Sequence, residues 1–193
     1  MNDQLRWDKK FAARANEPGN AESFLVEHCH RLNKGPVLDL ASGDGRHALF
    51  LASQGFPVTA ADISPVALSR LGQFASLQEL HIKTVQADFD DRLHPLDPGI
   101  FENLFENLII FFYKPGKALW QVIPDLLLPG GKIILCTFNL QQHHSNGFSR
   151  RFCLAPDELA GIHPQLEIDL YYSFEDRGRF LDAYVFSKSG MKK

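Results

Sequence analysis

Apolar segments typical of strands alternate with helical segments over about 100 residues in the middle of this chain. The predicted strands are Val37–Leu40, Pro57–Ala61, Ile82–Ala87, Leu108–Phe112 and Lys132–Phe138. Parallel strands need crossover connections, which are usually helices. The alternation therefore predicts βαβ units, with helices on both faces of a parallel sheet.

The C-terminal third has a different pattern. Residues 139–151 form a polar segment that predicts a loop, and Pro156–Glu158 is expected to open a short helix. Leu166–Tyr172 and Arg179–Ser187 alternate in polarity and predict an antiparallel hairpin. The fold class is therefore α/β: a three-layer, doubly wound, mostly parallel, seven-stranded sheet that ends in a C-terminal antiparallel hairpin.

The chain is expected to form a single domain, because 193 residues suffice for one hydrophobic core. We divide it into an N-terminal helical segment (1–34), a central ligand-binding core (35–138) and a C-terminal part (139–193). The N-terminal segment predicts two short helices, of which 21–31 has the clearer pattern. A helix over about 116–127 is expected to be kinked at Pro124.

Composition excludes several classes of protein. With 45% hydrophobic residues the chain is not a disordered tail, and its apolar runs are too short for a membrane span. A net charge of −3 without a basic block disfavours nucleic-acid binding. The N-terminus does not have the pattern of a secretory signal, and three cysteines without CxxC spacing predict reduced thiols. We expect a cytoplasmic protein.

A glycine-rich turn follows the first predicted strand, in the segment Val37–Gly45. Such a turn lets the backbone approach a ligand and presents free N–H groups at a helix N-terminus. Asp39 lies in that strand, Asp62 ends the second strand and Asp88 the third. Because parallel strands end at the same edge of a sheet, these acids are expected to face one crevice, where they can accept from ribose hydroxyls and an adenine amine.

Two cofactors fit this pattern, a dinucleotide or S-adenosylmethionine. Gly43, Gly45 and Ala48 match the loose dinucleotide fingerprint. However, Asp39 would repel a pyrophosphate and could bind the ammonium of a methionine moiety. Arg46 and His47 are bulky where a pyrophosphate would approach, so S-adenosylmethionine is favoured.

Three segments carry a resemblance to a known family. VLDLASGDGRHALFLASQGFPVTAADIS (37–64), QADF (86–89) and LLLPGGKIILCTFN (126–139) resemble the class I S-adenosylmethionine-dependent methyltransferases. Within them, the chain is most similar to the small bacterial tellurite-resistance and thiopurine methyltransferase branch. The resemblance runs from about Trp7 to Phe186 and implies a Rossmann-like methyltransferase sheet. Ala41 replaces the first glycine of the family's GxGxG, and Glu106-Asn107 departs from the usual start of the fourth strand.

The resemblance also implies which residues hold the cofactor. The methionine end would contact Asp39, Gly43 and Gly45, the ribose Asp62, and the adenine Asp88 and Phe89. Neighbouring positions are added to the cofactor set: Ala41, Arg46, Ile63 and Phe112. Trp7-Asp-Lys-Lys-Phe11 resembles the W-D-x-x-[FY] segment with which this branch covers its cofactor, although aromatic residues in such a segment are more often core residues than a cofactor cover. Asp90 and Asp91 lie close enough to Asp88 to replace it in a shifted register.

The predicted function is methyl transfer from S-adenosylmethionine to a small molecule, by in-line displacement and without an assigned catalytic residue. Tyr113, His143 and Arg150 are candidates for the substrate side, and no metal site is expected because the adjacent His143 and His144 lack ligand spacing.

Several alternatives to that function remain open. They are a nucleic-acid or protein methyltransferase, a catalytically silent S-adenosylmethionine-binding protein, and a nicotinamide-dependent oxidoreductase. The absence of an Asn-Pro-Pro-aromatic signature at Phe111–Lys114 disfavours nucleobase amines as acceptors. We expect a monomer or a homodimer without membrane attachment.

Overall fold

The computed structural model describes residues 3–89 and 98–190. Its centre is a seven-stranded sheet in the order β3-β2-β1-β4-β5-β7-β6. The first five strands in the chain pair in parallel, and β7 lies antiparallel between β5 and β6. The strands are β1 (Val37–Leu40), β2 (Val58–Asp62), β3 (Ile82–Gln86), β4 (Phe105–Phe111), β5 (Leu127–Phe138), β6 (Leu166–Asp176) and β7 (Arg179–Lys188). The predicted fold class, including the terminal hairpin, is confirmed.

Six α-helices are described: α1 (Asp3–Ala12), α2 (Ser23–His28), α3 (Arg46–Ser53), α4 (Pro65–Leu77), α5 (Lys117–Val122) and α6 (Leu140–Asn146). Two hydrophobic clusters cover the two faces of the sheet. The first cluster joins α2, α3 and α4 to alternate residues of the strands, such as Ile109. The second joins α5 to the strand residues in between, such as Leu108 and Ile110. Because successive strand residues point to opposite faces, this split builds the three-layer arrangement.

Local signals set several helix ends as expected. The Ser64 hydroxyl accepts from the Ala67 N–H at 3.1 Å and caps α4, with Pro65 at the first helical position. The helix that begins at Lys117 changes to a 3₁₀ turn over Ile123–Leu126, at the expected proline. Along residues 3–89 and 98–190, none of the helices combines the length and hydropathy that a membrane span needs.

The central strands begin earlier than predicted. β4 starts at Phe105 and β5 at Leu127, and their register shifts so that Asn107 pairs with Lys132. Pro129–Gly131 is therefore an irregular part of β5. The fully buried Asn107 side chain binds the Asn33 backbone, with its Oδ1 accepting at 2.8 Å and its Nδ2 donating at 2.9 Å. These two bonds satisfy an amide inside the sheet, which explains a polar residue in an otherwise apolar strand.

Two expectations for the C-terminal third were wrong. The segment predicted as a polar loop contains α6, which Asn139 caps through its side chain and Gly147 ends at φ +73°. The helix predicted at Pro156–Glu158 is a turn, and Asp157 adopts φ +56°. The alternative acids Asp90 and Asp91 lie outside the described residues.

Candidate functional site

A cavity of about 560 Å³ opens where the parallel strands end. Ala41 follows β1, Asp62 ends β2, Asp88 follows β3, and Phe111 ends β4. The cavity lies at the point where the strand order reverses, because β1 is placed between β2 on one side and β4 on the other. The volume lies in the range of about 300–1,000 Å³ that small-molecule sites occupy.

The Asp62 carboxylate links the glycine turn to the start of α4. Its Oδ2 accepts from the Gly43 N–H at 2.8 Å and its Oδ1 accepts from the Ser64 N–H at 2.9 Å. Burial raises the pKa of Asp62, and these two bonds offset part of the rise. Each carboxylate oxygen carries a second lone pair. The held carboxylate can therefore still accept hydrogen bonds from a molecule in the cavity.

Asp39 lies behind the glycine turn rather than on the cavity wall. Its side chain is buried, and its Oδ2 has no hydrogen-bond partner among the described residues. Burial raises the pKa of Asp39 to about 8, the negative charge of Asp62 adds to the rise, and a hydrogen bond from the Ala48 N–H opposes it. At neutral pH the Asp39 carboxyl is therefore mostly protonated.

Residues 41–44 of the glycine turn line the cavity. Ala41 (φ +60°) and Gly43 (φ +57°) line it, whereas Gly45 (φ +85°) does not. A Cβ on Gly45 would collide with the Leu71 side chain of α4, so this glycine allows α3 and α4 to pack closely. Ala41 and Phe112 (φ +55°) are non-glycine residues in the left-handed region beside the cavity, where backbone strain often accompanies function.

Helix α1 covers one side of the cavity with two aromatic residues. The rings of Trp7 and Phe11 stack with their centroids 6.0 Å apart, and both line the cavity. Phe11 is buried against the glycine turn, where its Cζ lies 2.9 Å from the position of a Cβ on Gly43. The two residues expected to cover the cofactor thus lie beside the turn expected to bind it.

Polar contacts tie the same helix to α4 and to the turn. The Ser64 hydroxyl donates to the Asp8 carboxylate. Arg14, just after α1, pairs with the buried Asp44 at 2.6 Å. Asp44 also pairs with Arg70 of α4 at 3.4 Å. These contacts attach α1 from its middle and from just beyond its C-terminal end, through groups that also shape the crevice.

Two arginines reach the cavity from different elements. Arg46 begins α3 and Arg179 begins β7, and their guanidinium carbons lie 5.0 Å and 5.3 Å from the centroid of the Phe112 ring. Both pair with the buried Glu22, Arg46 at 2.9 Å and Arg179 at 2.8 Å, and Arg179 also pairs with Asp176. Neither acid lines the cavity, whereas both guanidiniums do.

Aromatic rings form a continuous wall next to these arginines. The ring centroids of Phe112 and Phe138 lie 5.2 Å apart, those of Phe138 and Phe148 4.5 Å, and those of Phe148 and Phe152 6.2 Å. Arg6 of α1 lies over the Phe152 ring at 5.9 Å and joins this wall to the covering helix. The four rings, named here the aromatic wall, give this part of the cavity an apolar surface.

His47 is a buried polar residue on the cavity lining. Its ring stacks on Phe111 with centroids 4.1 Å apart, and its Nε2 has no hydrogen-bond partner among the described residues. Burial lowers the pKa of His47 well below its usual value, and the neighbouring Arg46 charge lowers it further. The imidazole is therefore neutral at physiological pH. Within residues 3–89 and 98–190, no group of His, Cys, Asp or Glu side chains is arranged to hold a metal ion.

The structure brings most of the predicted site residues to one cavity. Those on its lining are Trp7, Phe11, Ala41, Gly43, Arg46, Asp62, Ile63, Asp88, Phe89, Phe112 and Tyr113. Asp39 and Gly45 lie behind it, and His143 and Arg150 also lie off the lining. The His143 Nδ1 is 2.7 Å from the Phe148 carbonyl oxygen, so His143 orients the segment that carries an aromatic-wall residue, while Arg150 is exposed.

Arg179 and three rings of the aromatic wall were missed from the sequence. Phe138 ends a predicted parallel strand, and Arg179 begins a predicted antiparallel one. Both positions therefore lie at the carboxyl-end edge of the sheet, the rule by which Asp62 and Asp88 were predicted. That rule could have found them. Phe148 lies in the predicted polar loop and Phe152 directly follows it, and no local pattern indicated that their rings turn inward.

Comparisons with known proteins agree with this geometry. A family model described as a methyltransferase domain matches residues 37–131. These residues are similar to the methyltransferase domain that this model describes. The matched region contains the glycine turn, Asp62 and Asp88, so the domain supplies one half of the cavity.

Two curated relatives share parts of this domain. The chain is 36% identical over 87 residues to a glycine/sarcosine N-methyltransferase of Parasynechococcus marenigrum. The matched segment covers 44% of this chain and 29% of the relative. It is 25% identical over 138 residues to hemagglutinin 1 of Eikenella corrodens, covering 70% of this chain and 45% of the relative. The chain thus spans less than half of either relative.

Solved structures share the fold over nearly the whole chain. One, from work on the conversion of a disulfide bond into a thioacetal group during echinomycin biosynthesis, has a TM-score of 0.78 at 19% identity and covers 96% of this chain and 91% of its own. TehB from Haemophilus influenzae has a TM-score of 0.69 at 16% identity, and the match covers 96% of this chain and 66% of TehB. An S-adenosylmethionine-dependent methyltransferase from Clostridium acetobutylicum has a TM-score of 0.70 at 15% identity. The match covers 97% of this chain and 93% of that protein. At these identities the likeness establishes the fold of the chain, including its C-terminal hairpin.

Proposed function

We propose that this protein transfers a methyl group from S-adenosylmethionine to a small-molecule acceptor. The observation that carries the proposal is the cavity at the strand ends, where Asp62 and Asp88 lie on one side and the aromatic wall on the other. The matched methyltransferase domain and the fold of the S-adenosylmethionine-dependent methyltransferase from Clostridium acetobutylicum support the cofactor. The likeness in fold to TehB supports the proposal that the chain is related to the tellurite-resistance branch.

The residues present fit the cofactor. Asp62 is a carboxylate held in place by two backbone N–H groups with lone pairs left for ribose hydroxyls. Asp88 and Phe89 follow the next strand and can receive the adenine. When bound, S-adenosylmethionine would supply a sulfonium methyl group, whose bond to sulfur breaks with the electron pair staying on sulfur as a bond to the acceptor atom forms.

The chain's own contribution is to orient the reactants and exclude water. Positioning can supply much of the rate of such a displacement, because reacting atoms held about 3–3.5 Å apart react as if in one molecule. The aromatic wall and the α1 residues Trp7 and Phe11 keep water from the reaction centre. His47 is neutral and offers its Nε2 for a hydrogen bond, but its low pKa makes it a weak base.

Calorimetric titration of the full chain with S-adenosylhomocysteine and with NADH tests the cofactor. We expect saturable binding of S-adenosylhomocysteine and none of NADH. Asp88→Ala should weaken S-adenosylhomocysteine binding by about tenfold, since one hydrogen bond to a charged group contributes roughly 1.5 kcal/mol. Asp169→Ala is the matched control, because Asp169 is a β6 carboxylate that pairs with Lys132 away from the cavity.

Incubation with radiolabelled S-adenosylmethionine tests the acceptor class. The protein would be supplied separately with a low-molecular-weight cell extract, with total RNA and with a protein fraction. Label in the low-molecular-weight extract alone is expected. Label on RNA or protein would replace the proposal with a macromolecular methyltransferase. Cofactor binding without any transfer would indicate a silent binding protein, and NADH binding an oxidoreductase.

A further inference from the structure

The acceptor half of the cavity carries positive charge on an aromatic surface. It is lined by Arg46, Arg179 and the aromatic wall, and these residues lie at the ends of β4, β5 and β7 or just after them. The acidic residues on the lining, Asp62 and Asp88 among them, follow the strands on the other side or belong to α1 and the glycine turn. This part of the lining therefore combines two cationic side chains with a surface of aromatic rings.

The partners of the two arginines face away from the cavity. Glu22 and Asp176 pair with Arg179, and Glu22 also with Arg46, but neither acid is on the lining. A molecule in the cavity thus meets the guanidinium groups before it meets their counter-ions. The nearby Arg179 charge contributes to a lowered pKa of Arg46, after the larger effect of burial and against the opposing effect of Glu22.

Arg46 keeps hydrogen-bonding capacity toward the cavity. A guanidinium has five N–H donors. The structure gives Arg46 one ion pair, to Glu22, whereas Arg179 donates to both Glu22 oxygens and to Asp176. A second anion can therefore be accommodated beside Glu22. A cation is disfavoured there, because both guanidiniums already lie over the Phe112 ring that would otherwise attract it.

We infer that the acceptor is an anionic small molecule with a flat apolar body, whose carboxylate or equivalent group lies at Arg179 and Arg46 and whose body stacks on the aromatic wall. This inference rests on the proposed function, because it names the substrate class of the same cavity. Arg179 is a specificity-determining residue in this arrangement, and Phe138 and Phe148 provide the stacking surface.

Three probes that share a benzyl group test the charge preference: phenylacetate, phenylacetamide and phenethylamine. Their affinities for the full chain would be measured by ligand-observed NMR, with and without saturating S-adenosylhomocysteine. We expect phenylacetate to bind at least tenfold more tightly than phenylacetamide, and phenethylamine to bind most weakly. Equal affinities for phenylacetate and phenylacetamide would overturn the inference.

Arg179→Met should abolish the preference for phenylacetate over phenylacetamide, and Arg179→Lys should keep part of it. Arg177→Met is the matched control, since Arg177 contacts the same Asp176 but is 80% exposed and lies off the cavity lining. If Arg179→Met unfolds because Glu22 loses a partner, Glu22→Gln/Arg179→Met removes both charges and keeps the test. A preference unchanged in either variant would contradict the role of Arg179.

The two proposals fail in different ways. A protein that does not bind S-adenosylhomocysteine but prefers phenylacetate contradicts the methyltransferase function and leaves the anion subsite intact. A protein that binds S-adenosylhomocysteine and treats the three probes alike supports the function and overturns the subsite.

Discussion

The Phe11 ring lies against the backbone of Gly43, so closely that a Cβ on Gly43 would come within 2.9 Å of the ring Cζ. One residue belongs to the N-terminal helix and the other to the turn after β1. Any larger residue at position 43 would push α1 away from the crevice. The N-terminal segment and the glycine turn therefore form one unit, and a change in either should alter ligand binding.

Phe11→Ala is expected to loosen α1 without unfolding the sheet, because the lost ring fills space between the helix and the turn rather than the central core. Hydrogen exchange of residues 3–12 should accelerate, and affinity for S-adenosylhomocysteine should fall by roughly tenfold, the equivalent of about 1.4 kcal/mol. Leu5→Ala is the control on the same helix, since Leu5 is 54% exposed.

The same exchange experiment on the unchanged protein tests whether α1 is a mobile cover. We expect S-adenosylhomocysteine to increase the protection of residues 3–12. Equal protection with and without it would make Trp7 and Phe11 ordinary core residues.

Asp62→Ala is expected to weaken both ligand binding and the turn. The carboxylate accepts from Gly43 and Ser64, and buried hydrogen bonds to a charged group contribute about 1.5–3 kcal/mol each. S-adenosylhomocysteine affinity should fall at least tenfold, measured by calorimetry, and the midpoint of thermal unfolding should also fall.

Asp62→Asn separates these two effects. Its amide oxygen can replace one acceptor, but its NH₂ group would face a backbone N–H donor, so the turn should still be weakened. Unchanged S-adenosylhomocysteine affinity in both variants would remove Asp62 from the binding site.

Asp39 should make stability fall as the pH rises. Its pKa is about 8 in the folded protein and ordinary in the unfolded chain. Between those two values the folded state holds a proton that the unfolded state has lost, so this group's stabilising contribution is complete at low pH and is lost as the pH approaches 8. One unit of pKa difference corresponds to about 1.4 kcal/mol.

Asp39→Asn should remove this dependence. The free energies of unfolding of the two proteins would be measured in urea at pH 5 and pH 8. As the pH rises, the value for the unchanged protein should fall relative to that of the variant by at least about 1.4 kcal/mol. A constant difference would mean that Asp39 ionises normally when folded.

The sequence was informative wherever one strand and its end decide the structure. The ends of β2 and β3 located Asp62 and Asp88, since polar residues closing apolar runs mark the ligand edge of a parallel sheet. It failed where distant contacts decide. Helix α6 is held by Gln142, whose side-chain oxygen accepts from the Phe180 N–H 38 positions away. No local pattern contains that bond.

The failed helix at Pro156–Glu158 has a similar cause. Acids in a first helical turn are favourable, which motivated the prediction. The Glu158 carboxylate is instead engaged by Lys114 at 2.7 Å and by the Ala155 N–H at 2.8 Å. These contacts fix a turn against the end of β4, and a lysine 44 positions away is not visible in a helical signal.

A double-mutant cycle at Gly45 and Leu71 tests why the turn needs its last glycine. A bulky residue at position 45 would, on sequence grounds, obstruct the methionine end of the cofactor, but the structure directs a Cβ there into Leu71. Gly45→Ala should destabilise the fold by more than the roughly 1–2 kcal/mol of a left-handed residue alone. Gly55→Ala is the control for that conformational cost, because Gly55 has φ +87° and nothing within 4 Å of its Cβ position.

Leu71→Ala alone should cost about 2–5 kcal/mol, as core leucines do. In the double variant the new Cβ occupies space that Leu71 vacates, so the combined loss should be smaller than the sum by 1 kcal/mol or more, a coupling of the size that contacting residues show. Additive losses, measured by urea unfolding, would contradict the contact. S-adenosylhomocysteine affinity distinguishes the two explanations: if packing is the reason for Gly45, the double variant should bind more tightly than Gly45→Ala, whereas equally poor binding in both would return Gly45 to the ligand site.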